Sequence, residues 1–274
     1  MNTTNLPVRE LFGFERDPFV PDPAHIWLDE QRQDAIEKLT GLVHRGGFAV
    51  LTGPAGCGKT ILLGHLCSTL APTTHRVIYL ACAECEPPDM LRFVCAGLDL
   101  EPTLGRSRMT KRITDRVAEM KGITPVLVVD EAQSLSHATL EALRVICSNG
   151  LDGRHRFAVI MAGTDEFLGR LALRVSEPLR QRVTVYAEVG PVTRPETGDY
   201  LRHRFETAGV ARDIIAGEAL NLVFDITNGV PRLIDKLVDE ALRRAAREGA
   251  SAVALDHVQR AARTVFGPRQ EAQS

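Results

Sequence analysis

Gly53-Pro54-Ala55-Gly56-Cys57-Gly58-Lys59-Thr60 spells G-x-x-x-x-G-K-T, the pattern of a loop that cradles phosphates, and its flanks fix the setting. Before it runs the apolar stretch Phe48-Ala49-Val50-Leu51-Thr52, which reads as a buried strand. After it, Ile61, Leu62, Leu63 and Leu66 follow helical spacing. A strand that turns sharply into a helix aims a row of backbone N–H groups and a helix N-terminus at one point, and that point favours a polyphosphate. Glycines at 53, 56 and 58 let the backbone approach closely and take positive φ. Lys59 is placed to reach the β- and γ-phosphates, and Thr60 to offer its hydroxyl to Mg²⁺. The nucleotide-binding segment thus runs from Gly53 through Ile61. Cys57 has two readings, a thiol activated by the helix N-terminus or a side chain that fills a variable loop position.

Pro125-Val126-Leu127-Val128-Val129-Asp130-Glu131 is the second diagnostic element. An apolar run ending in paired carboxylates describes a buried parallel strand whose C-terminal edge reaches the ligand crevice. On that reading Asp130 holds Mg²⁺ and Glu131 orients and polarises the attacking water. The expectation is that the two point to opposite faces of the strand and so serve different jobs.

Working outward, residues 8–28 are punctuated by aromatics and by Pro18, Pro21 and Pro23, which predicts an extended arm rather than a helix. Its aromatics strap a core or wall an adenine pocket, and the two readings are compatible. Asp29 is placed to cap a helix with apolar Ala35, Ile36, Leu39, Leu42 and Val43, ending at Gly46-Gly47. Further strands are expected at 76–81, 157–162 and 183–186. A helix opens at Pro87-Pro88-Asp89, and a polar stretch with Arg106, Arg108, Lys111 and Arg112 leads into another. Ser136 is placed to cap a helix closed by Asn149-Gly150. The fourth strand delivers Gly163-Thr164 to the same edge as the phosphate loop, where Thr164 is the polar candidate for the γ-phosphate or the attacking water. Five strands alternating with helices specify a parallel, doubly covered α/β sheet. From Pro191 the periodicity is helical only, in four amphipathic units, with Asn228-Gly229-Val230-Pro231-Arg232 joining the second to the third. The expected organisation is an arm over 1–28, a nucleotide-binding α/β domain over 29–190, a helical lid over 191–266 and a tail over 267–274.

The 274 residues, 44% hydrophobic and 25% charged, supply ample core, and a net charge of −2 gives no overall pull toward nucleic acid or membrane. The first residues carry neither a basic nor an apolar segment of signal-peptide type, and no apolar run approaches the roughly 18 residues that span a bilayer. The expected location is the cytoplasm, with the six cysteines reduced. Cys82-Ala83-Glu84-Cys85 has the spacing of half a zinc site, but no matching pair follows.

The phosphate loop, the Asp-Glu strand end, the polar end of the fourth strand, Leu179-Arg180-Gln181-Arg182 before the fifth and Gly229-Val230-Pro231-Arg232 in a helical lid together resemble an AAA+ ATPase. More narrowly they are similar to the ExeA/GspA-type and TniB-like transposition ATPases, through Phe12-Gly13-Phe14, Asp17-Pro18-Phe19 and Val129-Asp130-Glu131-Ala132-Gln133 as well. The resemblance implies a P-loop NTPase that takes ATP and Mg²⁺ and assembles as rings or filaments with ATP between subunits. It implies Arg232 as a sensor arginine in cis and Arg180 or Arg182 as a finger offered to a neighbour. ExeA-type proteins carry a membrane span and a peptidoglycan-binding part after the ATPase, which this sequence does not show. Gly163-Thr164 also looks more like the transposition branch.

The leading expectation is an ATP-switched helper that binds double-stranded DNA and serves a transposase. Two basic stretches are its candidate contacts, Arg106, Arg108, Lys111 and Arg112 in one and Arg243, Arg244 and Arg247 in the other. The alternative is an ATPase of secretion-system or pilus assembly with a membrane partner. A small-molecule kinase needs neither Glu131 nor a Gly-x-Pro-Arg lid, and a helicase needs a second motor lobe.

Overall fold

The computed structural model describes residues 6–80, 85–147, 156–215 and 217–267. The chain divides into two compact units, one of Glu30–Ala55 and Lys59–Val189, the other of Met1–Asp29, Gly56–Gly58 and Gly190–Ser274.

The first is the α/β unit. Its helices and strands run α2 (Glu30–Arg45), β1 (Gly47–Thr52), α3 (Lys59–Thr69), β2 (His75–Leu80), α4 (Pro87–Gly97) and α5 (Arg106–Glu119), then β3 (Thr124–Val129), α6 (His137–Ile146), β4 (Ala158–Gly163), α7 (Asp165–Ala172), α8 (Glu177–Arg180) and β5 (Val183–Glu188), with α1 (Leu6–Phe12) preceding them in the other unit. The five strands form one sheet in the order β2-β3-β4-β1-β5, and every pairing is parallel. β1 and β4 are buried at every residue, as the apolar runs require of strands covered on both faces. Thr52 pairs with Gly163, and Val129 with both Leu80 and Met161. The C-terminal ends of β1, β2, β3 and β4 therefore line one edge. The chain moves from β1 out to β2, then returns through β3 and β4, and finally places β5 on the far side of β1. That reversal next to β1 is where open parallel sheets leave a crevice for a ligand.

Ser136 caps α6 as the sequence indicates, its Oγ accepting from the Thr139 N–H at 3.1 Å. Two expectations for this unit are corrected. Arg106, Arg108, Lys111 and Arg112 do not precede a helix; they lie within α5, whose buried Met109, Ile113 and Val117 set the helical phase. β3 also stops at Val129, so Asp130 and Glu131 are not alternating strand residues. The Asp130 N–H still donates to Leu80 O at 3.2 Å, and Glu131 then turns into the left-handed region at φ 52°, ψ 43°. A short 3-10 turn over Ala132–Ser134 follows. Ala81, Cys82, Ala83 and Glu84, the expected helix stop at Asn149-Gly150 and the tail beyond Gly267 lie outside the described residues.

The second unit is helical: α9 (Arg194–Thr207), α10 (Glu218–Thr227), α11 (Pro231–Arg247) and α12 (Leu255–Phe266). Thr193 and Glu196 form a capping box at the start of α9. Leu201, Phe205, Ile234, Leu237, Val238 and Val258 form its buried core with Val8, Phe12 and Phe14 from the N-terminal segment. That segment opens with a helix where an extended arm is expected. Pro7 sits in the first turn of α1, where its missing N–H breaks no intrahelical bond. Residues 13–29 carry no regular structure up to α2. Phe14 packs on Phe205 with ring centroids 5.5 Å apart and Trp27 lies edge-on to Tyr200 at 5.8 Å, so the aromatics of the arm strap the helical core.

Candidate functional site

The phosphate loop leaves β1 at Gly53. A Cβ there would sit 1.9 Å from Val189 O, so the carbonyl of the residue that follows the fifth strand leaves no room for a side chain unless the backbone shifts. Gly56 and Gly58 both have positive φ, 86° and 95°, which a side chain would strain. Lys59 opens α3 and is buried, and its Nζ donates to Gly53 O at 2.8 Å and Pro54 O at 3.2 Å. Both acceptors are neutral carbonyls. The ammonium is thus solvated by the loop without its charge being cancelled, which leaves it an anion-seeking group.

Thr60, the next residue, donates its hydroxyl to Asp130 Oδ2 at 2.7 Å. Threonine comes from the first turn of α3 and aspartate from just beyond β3, with β4 between β1 and β3 in the sheet. A hydroxyl and a buried carboxylate converging at the end of a phosphate loop are hard oxygen donors. Magnesium takes such a set, with one or two carboxylates and the substrate phosphates as its ligands, so these residues fit the ion. Asp130 is held on three sides, since the Tyr79 hydroxyl also donates to Oδ2 at 3.0 Å and the Glu131 N–H to Oδ1 at 2.9 Å. Burial first, and then the charge of Asp130, push the Tyr79 hydroxyl up to about 12. It therefore remains a donor throughout the neutral range.

Glu131 is exposed at the crevice edge. Its carboxylate accepts from the Gln133 side-chain amide, and the Gln133 Oε1 in turn accepts the Thr164 N–H at 3.3 Å. Thr164 occupies the N-cap position of α7 without a side-chain capping bond. Gly53, Lys59, Thr60, Asp130, Glu131 and Thr164 are thereby gathered at one edge of one sheet.

Residues 43–171 match the family model of an AAA domain. Over 269 residues the chain is 29% identical to General secretion pathway protein A of Aeromonas hydrophila, covering 96% of this chain and 49% of that protein. It therefore spans about half the length of that relative. Among solved structures, Cdc6p of Pyrobaculum aerophilum superposes with a TM-score of 0.75 at 21% identity, covering 94% of this chain and 74% of that one. The ORC1 protein of Aeropyrum pernix, solved in complex with DNA, gives 0.67 at 20% identity over 89% and 67%. The RuvB branch migration motor of Thermotoga maritima gives 0.57 at 19% over 89% and 73%. These three establish the fold: a five-stranded parallel sheet flanked by helices and followed by a helical region, the architecture of P-loop NTPases.

The predicted arginines are each placed on their own element. Arg180 closes α8, exposed, in an ion pair with Glu177 one turn earlier, while Arg182 is half-buried just before β5. Arg232 is exposed in the first turn of α11. Within the unit that includes Gly56–Gly58, its backbone N–H donates to Gly56 O at 3.2 Å, and a Cβ on Gly56 would come within 3.1 Å of Arg232 Cβ. Cys57 is fully buried, the setting of a packing residue rather than an accessible thiol. Tyr79 and Gln133 are the functional candidates that sequence reasoning missed. The only signal for Tyr79 is a polar aromatic one residue from the end of an apolar strand. For Gln133 it is an amide two residues beyond the carboxylate.

Proposed function

We propose that this chain binds ATP in the phosphate loop and hydrolyses it. The observation that carries this reading is the 2.7 Å bond between Thr60 and Asp130 beside the buried Lys59. It joins the two diagnostic motifs, which lie far apart in the sequence. Lys59 and the loop N–H groups bind the phosphates, Thr60 and Asp130 hold Mg²⁺, and Glu131 accepts a proton from the attacking water and aims it. Bound Mg²⁺ would neutralise phosphate charge and orient the transferring group. Thr164 is our candidate for contact with the γ-phosphate side of the water. The Arg232 contact to Gly56 supports that arginine as the cis sensor. Glu131→Gln is the test: ATP binding by calorimetry should persist while turnover falls by about 10²–10⁴-fold, the usual worth of a general base. Turnover at the wild-type rate would overturn the assignment.

We further propose that the ATPase serves secretion or envelope assembly as an oligomer. Likeness to General secretion pathway protein A over 96% of this chain favours this reading over the transposition helper. The DNA-related solved structures are under 25% identical and support the fold without the substrate. Side-chain pairing also weighs against a continuous DNA track. Arg243 and Arg244 pair with Asp239 and Glu240, both at 2.9 Å, and Lys111 pairs with Asp115 at 2.6 Å. Deleting the gene should leave exported proteins inside the cell, with export restored by the wild-type chain and not by Lys59→Ala. Normal export in the deletion strain, with ATP-dependent shifting of duplex DNA by Glu131→Gln protein, would return the transposition reading to first place.

A further inference from the structure

We infer that Gln133 is a positioning residue for Glu131, fixing its carboxylate against the end of β4. The inference rests on the reading that Glu131 aims the attacking water. The Gln133 amide is used at both ends. Its NH₂ donates to Glu131 Oε2 and its carbonyl accepts the Thr164 N–H at 3.3 Å. The orientation is dictated by chemistry, because a turned amide would set its oxygen against a carboxylate and its NH₂ against an N–H. Glutamine is the residue for this place: a Glu cannot donate to Glu131, and Asn is a methylene shorter.

The anchor beneath the amide is as firm as the amide itself. The Arg170 guanidinium, from α7, donates to Gln133 O and also to Leu135 O at 2.6 Å, which pins the turn that follows Glu131. Gly163, the last residue of β4, leaves room for the arrangement. A Cβ there would lie 2.9 Å from Gln133 Oε1 and 2.8 Å from Phe167 Cβ. Glu131 needs such support for two reasons. Its backbone is left-handed at φ 52°, a conformation that is sterically unfavourable for a residue other than glycine. Its side chain is exposed and has several rotatable bonds. Gln133 and Arg170 together tie this residue to β4 and α7, so the carboxylate and the Thr164 backbone move as one.

Two substitutions separate positioning from mere packing. Gln133→Glu keeps the length and the acceptor for the Thr164 N–H but sets a second carboxylate against Glu131; Gln133→Met keeps the length and loses both bonds. Misplacement of a reacting group by about 1 Å costs on the order of 10²-fold. Both variants should therefore lose kcat by about that factor, with KM for ATP, the affinity for a fluorescent ATP analogue and the Tm near wild type. A packing role would spare Gln133→Glu and would show in Tm instead. The double variant Glu131→Gln/Gln133→Met supplies the decisive comparison. If Gln133 acts through Glu131, it turns over no more slowly than Glu131→Gln alone. Either multiplicative losses in that pair, or a wild-type kcat in both single Gln133 variants, would overturn the inference. Wild-type turnover in Glu131→Gln would instead overturn the role of Glu131 itself, which is a different failure.

Discussion

Lys59 shows how a single residue can be both buried and available. Its ammonium has left solvent for two neutral carbonyls, Gly53 O and Pro54 O, so its charge remains to be matched by an anion. Hydrogen bonds to charged groups contribute about 1.5–3 kcal/mol each. Losing two such contacts to phosphate should cost Lys59→Ala at least about 10²-fold in ATP affinity. Calorimetry checks this, and equal affinity in the variant would remove Lys59 from the site. The same economy of contacts appears at Asp130, where Thr60 and Tyr79 donate to one oxygen and the Glu131 N–H to the other. A carboxylate fixed on three sides has one orientation. That is the property a group placed to hold a metal needs, since metal ligands depend on the bonds behind them for their aim.

At the scale of elements, β1 and its loop depend on a strand that is distant in sequence. Val189 N donates to Thr52 O at 2.9 Å, and Val189 O occupies the space that a Gly53 side chain would need. Gly53→Ala should therefore destabilise the fold by about 1–3 kcal/mol, the cost of overpacking, and weaken ATP binding with it. Denaturant unfolding measures the first effect; an unchanged midpoint would mean that the loop relaxes freely. In the helical unit, Asp235 of α11 accepts from the Tyr200 hydroxyl at 2.7 Å and from Arg204 at 3.2 Å. Burial pushes its carboxyl up from 3.8 to about 6, against the pull of Arg204 and Tyr200. The folded state thus holds this proton more tightly than the unfolded one, so the contribution of Asp235 to stability is greatest below about pH 4 and declines as the pH rises to about 6. Asp235→Asn should remove that decline, seen as a flatter Tm against pH across the same window; an identical profile in both proteins would refute it. These elements also show what a sequence can and cannot disclose. β1, β3 and β4 are legible because strands buried on both faces read as unbroken apolar runs, and the phosphate loop is legible because its glycines are forced by backbone geometry. The insertion of β4 between β1 and β3 is not, since strand order is set by long-range packing that leaves no local pattern. Nor is the left-handed turn at Glu131, because that conformation is signalled by Gly, Asn or Asp. The helix at Leu6–Phe12 is hidden by the prolines that follow it.

For the whole molecule, the question is whether one chain suffices for turnover. The α/β unit gathers within itself Lys59, Thr60, Asp130 and Glu131, the residues proposed above to bind phosphate, hold the metal and aim the water, yet Arg180 points its guanidinium to Glu177 on the surface. Beside it along the chain, Leu168, Leu173 and Val175 are exposed. An exposed pair such as Arg180–Glu177 is worth little in water, so exchanging Glu177 for a neighbour's phosphates would cost little. No helix among the described residues is long and apolar enough to cross a membrane. If Arg180 or Arg182 completes a neighbour's site, turnover per subunit should rise with protein concentration, because an arginine supplied in trans is worth about 10³-fold or more in related NTPases. Lys59→Ala chains cannot bind ATP productively but still carry the arginine; Arg180→Ala or Arg182→Ala chains bind ATP but lack it. Mixing the two kinds should restore turnover that neither shows alone, and whichever arginine variant is rescued identifies the finger. Turnover per subunit that is independent of concentration, with no rescue in either mixture, would mean that each chain completes its own site.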